Sequence, residues 1–141
     1  MLNRTGITLA TVVVLVIGPG CDVVTGPDPL AQFTWNEVDE GVSVADGIQS
    51  ASVGGEIILL GGINTPTRCY SLSPDFQQDG QRLTLRVDAK TTNTPNCEQT
   101  PGGYTYTAVI RRLDNGTYQL TVIHAVTGGT TLQFADTVAI G

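Results

Sequence analysis

Few side chains in this 141-residue chain could carry out catalysis. The single histidine, His124, lies on the same strand face as Leu120 and Val122, because the three residues occupy alternate positions. A hydrogen-bonded, partly buried imidazole is a better interpretation of this position than a general base. No serine stands in a Gly-x-Ser-x-Gly context, and no His-Glu-x-x-His pattern occurs. The sequence therefore predicts no catalytic residue, no metal ligand and no cofactor.

A catalytic site made of carboxylates is the remaining possibility for an enzyme. Asp75, Asp79 or Glu98 could form a pair in space for glycoside hydrolysis, and a single sequence does not reveal such a pair. Copper carriage requires His and Met ligands, of which this chain has one each. A non-enzymatic function is the prediction.

Charge is unevenly distributed along the chain. Residues 22–67 contain seven acidic residues and no lysine or arginine, whereas residues 68–141 contain six of each sign. The spacing of Glu37, Asp39 and Glu40 lacks the pattern of a calcium loop, so we interpret the acidic segment as a solvated face. With a net charge of −6, the chain is not expected to bind nucleic acid or an anionic membrane surface.

The first 20 residues predict an export signal. Arg4 precedes an uncharged apolar run from Ile7 to Gly18, and Pro19 and Gly20 follow before Cys21. As a helix, the run would rise about 18 Å, against about 30 Å for the hydrocarbon core of a bilayer. The segment is therefore too short for a permanent span, and the mature protein is expected to act outside the cytoplasm.

The run Val16-Ile17-Gly18-Pro19-Gly20-Cys21 resembles the lipobox of bacterial lipoproteins. In that family the cysteine becomes the mature N-terminus and carries the lipid, so the resemblance implies that Cys21 is lipidated and anchors the protein to a membrane. Gly18 and Pro19 differ from the large aliphatic and small non-proline residues usual at those positions. An ordinary signal-peptidase cut, which would give a secreted or periplasmic protein, is the alternative.

Assigning Cys21 to the lipid also accounts for an odd number of cysteines, since an unpaired thiol is a liability in an oxidising compartment. Cys69 and Cys97 are then the one available pair, and their separation of 28 positions excludes a CxxC redox or zinc motif. The implied disulfide would pin the polar loop of residues 91–103 to the start of a strand. Two separate buried thiols are the alternative.

After a Pro- and Gly-rich segment in residues 21–30, which we interpret as a tether, hydrophobic periodicity predicts a single all-β domain over residues 31–141. No ten-residue stretch there combines helical spacing with a capping signal. We expect an antiparallel β-sandwich of seven to eight strands. The predicted strands are residues 31–36, 42–44, 56–60, 69–73, 82–90, 104–113, 117–125 and 131–140, with Leu83, Leu85, Val87 and Ala89 inward and a turn at Gly61-Gly62.

Ile110, Leu113, Gly116 and Tyr118 resemble the Leu-x-x-Gly-x-Tyr signature of immunoglobulin-like and fibronectin-like sandwiches. In those families the tyrosine hydroxyl bonds to upstream backbone at a corner between strands. The resemblance implies that Tyr118 is a tyrosine corner and that the domain is Ig-like. Asn115-Gly116 is also a strong hairpin signal, so a simple hairpin between neighbouring strands is the alternative.

Two function classes remain. In the first, the chain is a lipid-anchored binding or structural module of the cell envelope, whose partner is an envelope protein or polymer and whose best candidate surface is the loop of residues 91–103. In the second, it is an inhibitor or accessory subunit of an extracytoplasmic enzyme. A sugar-binding platform is not expected, because the aromatic residues mostly fall on core-directed faces, namely Phe33, Trp35, Tyr104, Tyr106 and Phe134.

Overall fold

The computed structural model describes residues 29–141. The regular secondary structure in this range consists of β-strands only. The strands are β1 (Leu30–Glu37), β2 (Gly47–Val53), β3 (Glu56–Thr65), β4 (Tyr70–Asp79), β5 (Arg82–Thr91), β6 (Gly102–Ile110), β7 (Gly116–Val126) and β8 (Thr131–Ile140). The predicted signal, Cys21 and residues 21–28 of the predicted tether lie outside the described residues. Within residues 29–141, no helix is long and apolar enough to cross a membrane.

The eight strands form two four-stranded sheets that enclose one core. The first sheet has the order β1-β6-β3-β2, and the second has the order β4-β5-β7-β8. This arrangement confirms the predicted all-β, Ig-like sandwich. One neighbouring pair, β5 and β7, is parallel, although the sequence predicts antiparallel pairs. The cause is the intervening strand β6, which crosses to the first sheet, so that the chain re-enters the second sheet in the direction of β5.

The core lies between the two sheets and follows the predicted alternation most closely in β5. Leu83, Leu85, Val87 and Ala89 are each at most 1% exposed. Both neighbours of β5 also contribute buried side chains to the core, as does the facing first sheet. Burying a leucine or valine side chain stabilises the fold by about 1.5 to 3 kcal/mol. The central strands therefore supply most of the apolar stabilisation.

Two predictions about the first sheet are wrong. Residues 42–44 form no strand, and the second strand is instead β2, which begins at Gly47. The strand predicted over residues 56–60 continues to Thr65 through the two glycines that were interpreted as a turn.

A close approach of side chain and backbone explains why glycines occur inside β3. A Cβ atom on Gly61 would lie 2.1 Å from Cζ of Tyr106, and one on Gly62 would lie 2.4 Å from the carbonyl oxygen of Ala45. The ring of Tyr106 therefore occupies the space of a side chain at position 61, and the backbone before β2 occupies the space at position 62. Both glycines serve packing within a strand.

The connection between β6 and β7 decides between the two interpretations of Tyr118. The two strands belong to different sheets, so the hairpin alternative is wrong. The hydroxyl of Tyr118 donates a hydrogen bond of 2.8 Å to the carbonyl oxygen of Asp114, four residues upstream, and the residue is 4% exposed. This is the hydrogen bond that a tyrosine corner makes between sheets.

Replacing Tyr118 with phenylalanine is expected to lower the free energy of unfolding by about 1 to 3 kcal/mol, because the ring stays while the carbonyl of Asp114 loses its partner. Urea unfolding of the two proteins at one pH measures the difference. A loss below about 0.5 kcal/mol would show that the hydroxyl does not hold this corner.

Candidate functional site

Several charged and aromatic side chains line a cleft at one open side of the sandwich. There β1 and β4, each an edge strand of its sheet, contact each other, and the loop of residues 92–101 between β5 and β6 forms one wall. The cleft has a volume of about 500 Å³. We call it the Trp35 cleft, and its lining residues are Trp35, Glu37, Glu40, Arg68, Tyr70, Ser71, Thr92, Thr94, Cys97 and Glu98.

A disulfide fixes the loop wall of the cleft. Cys69 and Cys97 are bonded, with their Cα atoms 5.4 Å apart, which confirms the predicted bridge. Two backbone hydrogen bonds reinforce it: Arg68 N–H donates to the Glu98 carbonyl at 3.2 Å, and Thr92 N–H donates to the Cys69 carbonyl at 2.8 Å. The loop is therefore attached to the residues just before β4, as expected from the sequence.

Arg68 is the electrostatic centre of the cleft. Its Nε atom lies 2.6 Å from Oε1 of Glu37 and 3.6 Å from Oε2 of Glu98, and its side chain is 17% exposed. Glu40 also lines the cleft and makes no ion pair with any described residue. The lining of the cleft thus contains three carboxylates and one guanidinium, which gives it an excess of negative charge.

Trp35 corrects the expectation that the aromatic residues face the core. Its register partner is the buried Tyr106, so it does lie on the core-directed side of β1. It is nevertheless 37% exposed, because β1 is an edge strand and the sandwich is open beside it. Its one aromatic contact is an edge-on approach to Tyr104, with ring centroids 5.7 Å apart. Much of the indole therefore faces the cleft.

The carboxylates proposed as a possible glycosidase pair are not brought together. Asp75 and Asp79 lie on β4, where their register partners are Arg86 and Arg82, whereas Glu98 lies in the Trp35 cleft. No group of three or more His, Cys, Asp or Glu residues within the described range could hold a metal ion.

The histidine lies in the core, away from the lining of the Trp35 cleft. His124 is 1% exposed, and its Nε2 atom is 2.7 Å from the hydroxyl of Tyr106. The ring of Phe134 packs against it, with centroids 4.9 Å apart. Burial lowers the pKa of His124 from 6.5 to about 4, while the charge of Asp46 acts weakly in the opposite direction. Burial also raises the pKa of Tyr106, so both side chains are neutral at ordinary pH.

A second concavity, the outer-face groove, lies on the solvent side of the first sheet. It has a volume of about 640 Å³ and includes Leu60, which is 48% exposed. One wall is the segment before β2, which the side-chain amide of Asn64 holds by bonding to both the N–H and the carbonyl of Val44. Its charged residue, Asp46, already accepts a hydrogen bond from the backbone N–H of Asn64. The groove therefore offers less for specific recognition than the Trp35 cleft does.

Comparisons with protein-family models, curated proteins and solved structures find no match to this chain. The Trp35 cleft is therefore the feature of the protein that indicates a function. The Trp35 cleft combines an exposed aromatic surface, both signs of charge and a fixed wall, which are the features of a binding site for a small or extended ligand.

Proposed function

We propose that this chain is an exported, lipid-anchored binding module of the cell envelope, and that it binds an envelope protein or polymer in the Trp35 cleft without catalysis. The observation that carries the proposal is the exposed indole of Trp35 beside a loop fixed by the Cys69–Cys97 bridge. A fixed wall supports binding, because little conformational entropy is lost when a ligand settles against it.

The charged groups of the cleft can hydrogen-bond a polar ligand. Glu37 Oε1 and Glu98 Oε2 lie 2.6 Å and 3.6 Å from Nε of Arg68. Carboxylates accept hydrogen bonds and a guanidinium donates them, so the cleft offers a ligand both kinds of partner.

The proposed location draws on the predicted signal and on the bridge. Disulfides persist in oxidising compartments and are rare in the cytosol, so the bond between Cys69 and Cys97 supports an extracytoplasmic site. The lipid on Cys21 remains a prediction from the resemblance to the lipobox.

Full-length wild-type protein is expected to partition into the detergent phase, and Cys21→Ser is expected to remain in the aqueous phase. The reason is that acyl chains contribute about 0.8 kcal/mol per buried CH₂, and two or more of them give stable anchoring. Phase separation of the two proteins from the same host measures the effect. Equal partitioning would overturn the lipid assignment and favour the secreted or periplasmic alternative.

A capture experiment tests the binding function. Immobilised full-length protein is incubated with a solubilised envelope extract, and retained proteins and polymers are identified. We expect one component to be retained by the wild type and lost with Trp35→Ala. The control is Leu60→Ala, which removes an exposed apolar side chain from the outer-face groove and should retain that component. Retention that is unaffected by Trp35→Ala would contradict the proposal.

The alternative function, an inhibitor or accessory subunit of an extracytoplasmic enzyme, has support from the same loop. Thr94, Pro95 and Asn96 are exposed, and the bridge at Cys97 holds the segment that carries them. An exposed and fixed loop is suited to entering an active-site cleft. Capture of an enzyme whose activity falls on binding, with loss of that effect in Pro95→Gly, would favour this alternative.

A further inference from the structure

The Trp35 cleft contains the two kinds of group that recognise a sugar ring. A pyranose has an apolar face of C–H groups and a rim of hydroxyls that both donate and accept hydrogen bonds. Trp35 supplies a flat, rigid surface for the apolar face, and among the described residues no other aromatic ring stacks on it in parallel. It is 37% exposed without any ligand, at the edge of a cavity of a suitable size for a small ligand.

Donors and acceptors for hydroxyls lie beside the indole. Arg68 contacts Glu37 and Glu98 through Nε, and a guanidinium has five N–H donors in all, more than these two contacts use. The carboxylate of Glu40 makes no ion pair within residues 29–141, and Thr94 lies on the loop wall. Planar guanidinium and carboxylate groups can each bond two neighbouring hydroxyls at once.

The arrangement of charge selects the kind of ligand. A cationic ligand would have to compete with Arg68 for Glu37 and Glu98, because both carboxylates are already in ion pairs. An anionic ligand would meet three carboxylates, those of Glu37, Glu40 and Glu98. A neutral ligand that is rich in hydroxyls avoids this competition and this repulsion, and it can use the donors and the acceptors together.

We propose that the Trp35 cleft binds a neutral saccharide, with one ring stacked on Trp35 and its hydroxyls bonded to Arg68 and Glu40. This inference rests on the proposed function and specifies its ligand as a polymer or glycan of the envelope. The disulfide and the backbone bonds of Arg68 and Thr92 keep the loop wall in place before the ligand arrives.

Tryptophan fluorescence gives a direct test, because Trp35 is the only tryptophan of the chain. Purified full-length protein is titrated with two neutral tetrasaccharides, cellotetraose and N-acetylchitotetraose, and with tetragalacturonate and a tetralysine peptide. We expect a saturable change in emission with at least one neutral sugar, and none with the acidic sugar or the cationic peptide. A response to tetralysine or tetragalacturonate alone, or no response to either neutral sugar at millimolar concentration, would overturn the inference.

Calorimetry on variants shows whether binding uses the proposed contacts. Trp35→Ala is expected to bind the sugar at least about tenfold more weakly, since loss of a stacked ring contact is of this order. Trp35→Phe keeps a smaller ring and should bind with intermediate affinity, which guards against a folding defect in the alanine variant. Leu60→Ala should bind as the wild type does. Unchanged affinity in both Trp35 variants would contradict the assignment.

The two proposals fail in different ways. If Trp35→Ala abolishes capture of an envelope component while neither neutral sugar binds, the cleft binds something other than a neutral glycan, and only the saccharide inference falls. If capture does not depend on Trp35, the proposed function falls, together with the inference that rests on it.

Discussion

Replacing both Cys69 and Cys97 with alanine is expected to lower the free energy of unfolding by about 3 to 4 kcal/mol. The bridge closes a loop of 28 residues, and the chain-entropy model gives a stabilisation of this size for such a loop. A domain of this length has a total stability of only about 5 to 15 kcal/mol, so the loss is a large fraction of it. Urea unfolding at 25 °C measures the change, and far-UV circular dichroism should keep its β-type form.

Reduced wild-type protein is the matched control for the double variant, and the two should unfold at the same urea concentration. Because Cys97 and Thr92 lie in the wall of the Trp35 cleft, loss of the bridge should also reduce capture of the ligand, even where the domain remains folded. Two free thiols in the unreduced wild-type protein, detected by alkylation, would rule out the bridge.

Strands that bury one whole face could be predicted from the sequence, and strands at the edges could not. β5 lies in the interior of the second sheet, so its apolar residues alternate strictly. β2 is an edge strand that buries little, and its sequence from Gly47 to Val53 carries mixed small and polar residues with no clear period. An edge strand has one neighbouring strand and buries less apolar surface, so the alternation of apolar and polar residues in its sequence is weak.

The glycines of β3 show a different limit. Locally, Gly61-Gly62 is a turn signal. The reason that they continue a strand is the ring of Tyr106, which fills the space beside Gly61 and is 45 positions away in sequence. A contact of this kind depends on the pairing of β3 with β6. The residues next to Gly61 in sequence therefore do not predict it.

Only part of the Trp35 cleft could be predicted from the sequence. The loop and its bridge could be predicted from cysteine number, and the face on which Trp35 lies could be predicted from alternation. The opening of the sandwich beside β1 could not be predicted from the sequence, because it depends on the order of strands in both sheets. The contact of Glu37 with Arg68 likewise follows from the fold, since Glu37 ends the edge strand β1 and Arg68 lies just before β4, the edge strand of the other sheet.

Stability is expected to fall by about 3 kcal/mol as the pH drops from 6.5 to 4, because of His124. The unfolded chain binds a proton on this imidazole below about pH 6.5, whereas in the folded protein burial lowers the pKa to about 4. Between these values the unfolded state holds more protons, so acid favours unfolding. The contribution is fully present above pH 6.5 and is lost as the pH falls toward 4.

Neither Tyr106 nor Asp136 accounts for a loss of stability in this pH window. Tyr106 has a raised pKa, so it stays neutral and neither gains nor loses a proton between pH 6.5 and 4. Asp136 has a lowered pKa because the hydroxyl of Ser50 and the N–H of Thr137 donate to it, so most of its own loss of stability falls below its ordinary value of 3.8. The decline between pH 6.5 and 4 therefore reports on the histidine.

His124→Gln separates the titration from the packing. Glutamine can still accept a hydrogen bond from Tyr106, and it carries no charge at any pH, so the variant should be less stable at pH 7 yet nearly flat between pH 6.5 and 4. Ser50→Ala is the control, because it removes a donor to Asp136 and should keep the slope of the wild type in this window. Urea unfolding at several pH values measures all three proteins. A slope in His124→Gln equal to that of the wild type would show that the buried imidazole is not the group that acid protonates. It would assign the sensitivity to carboxylates instead, since they are the other side chains that take up protons at these pH values.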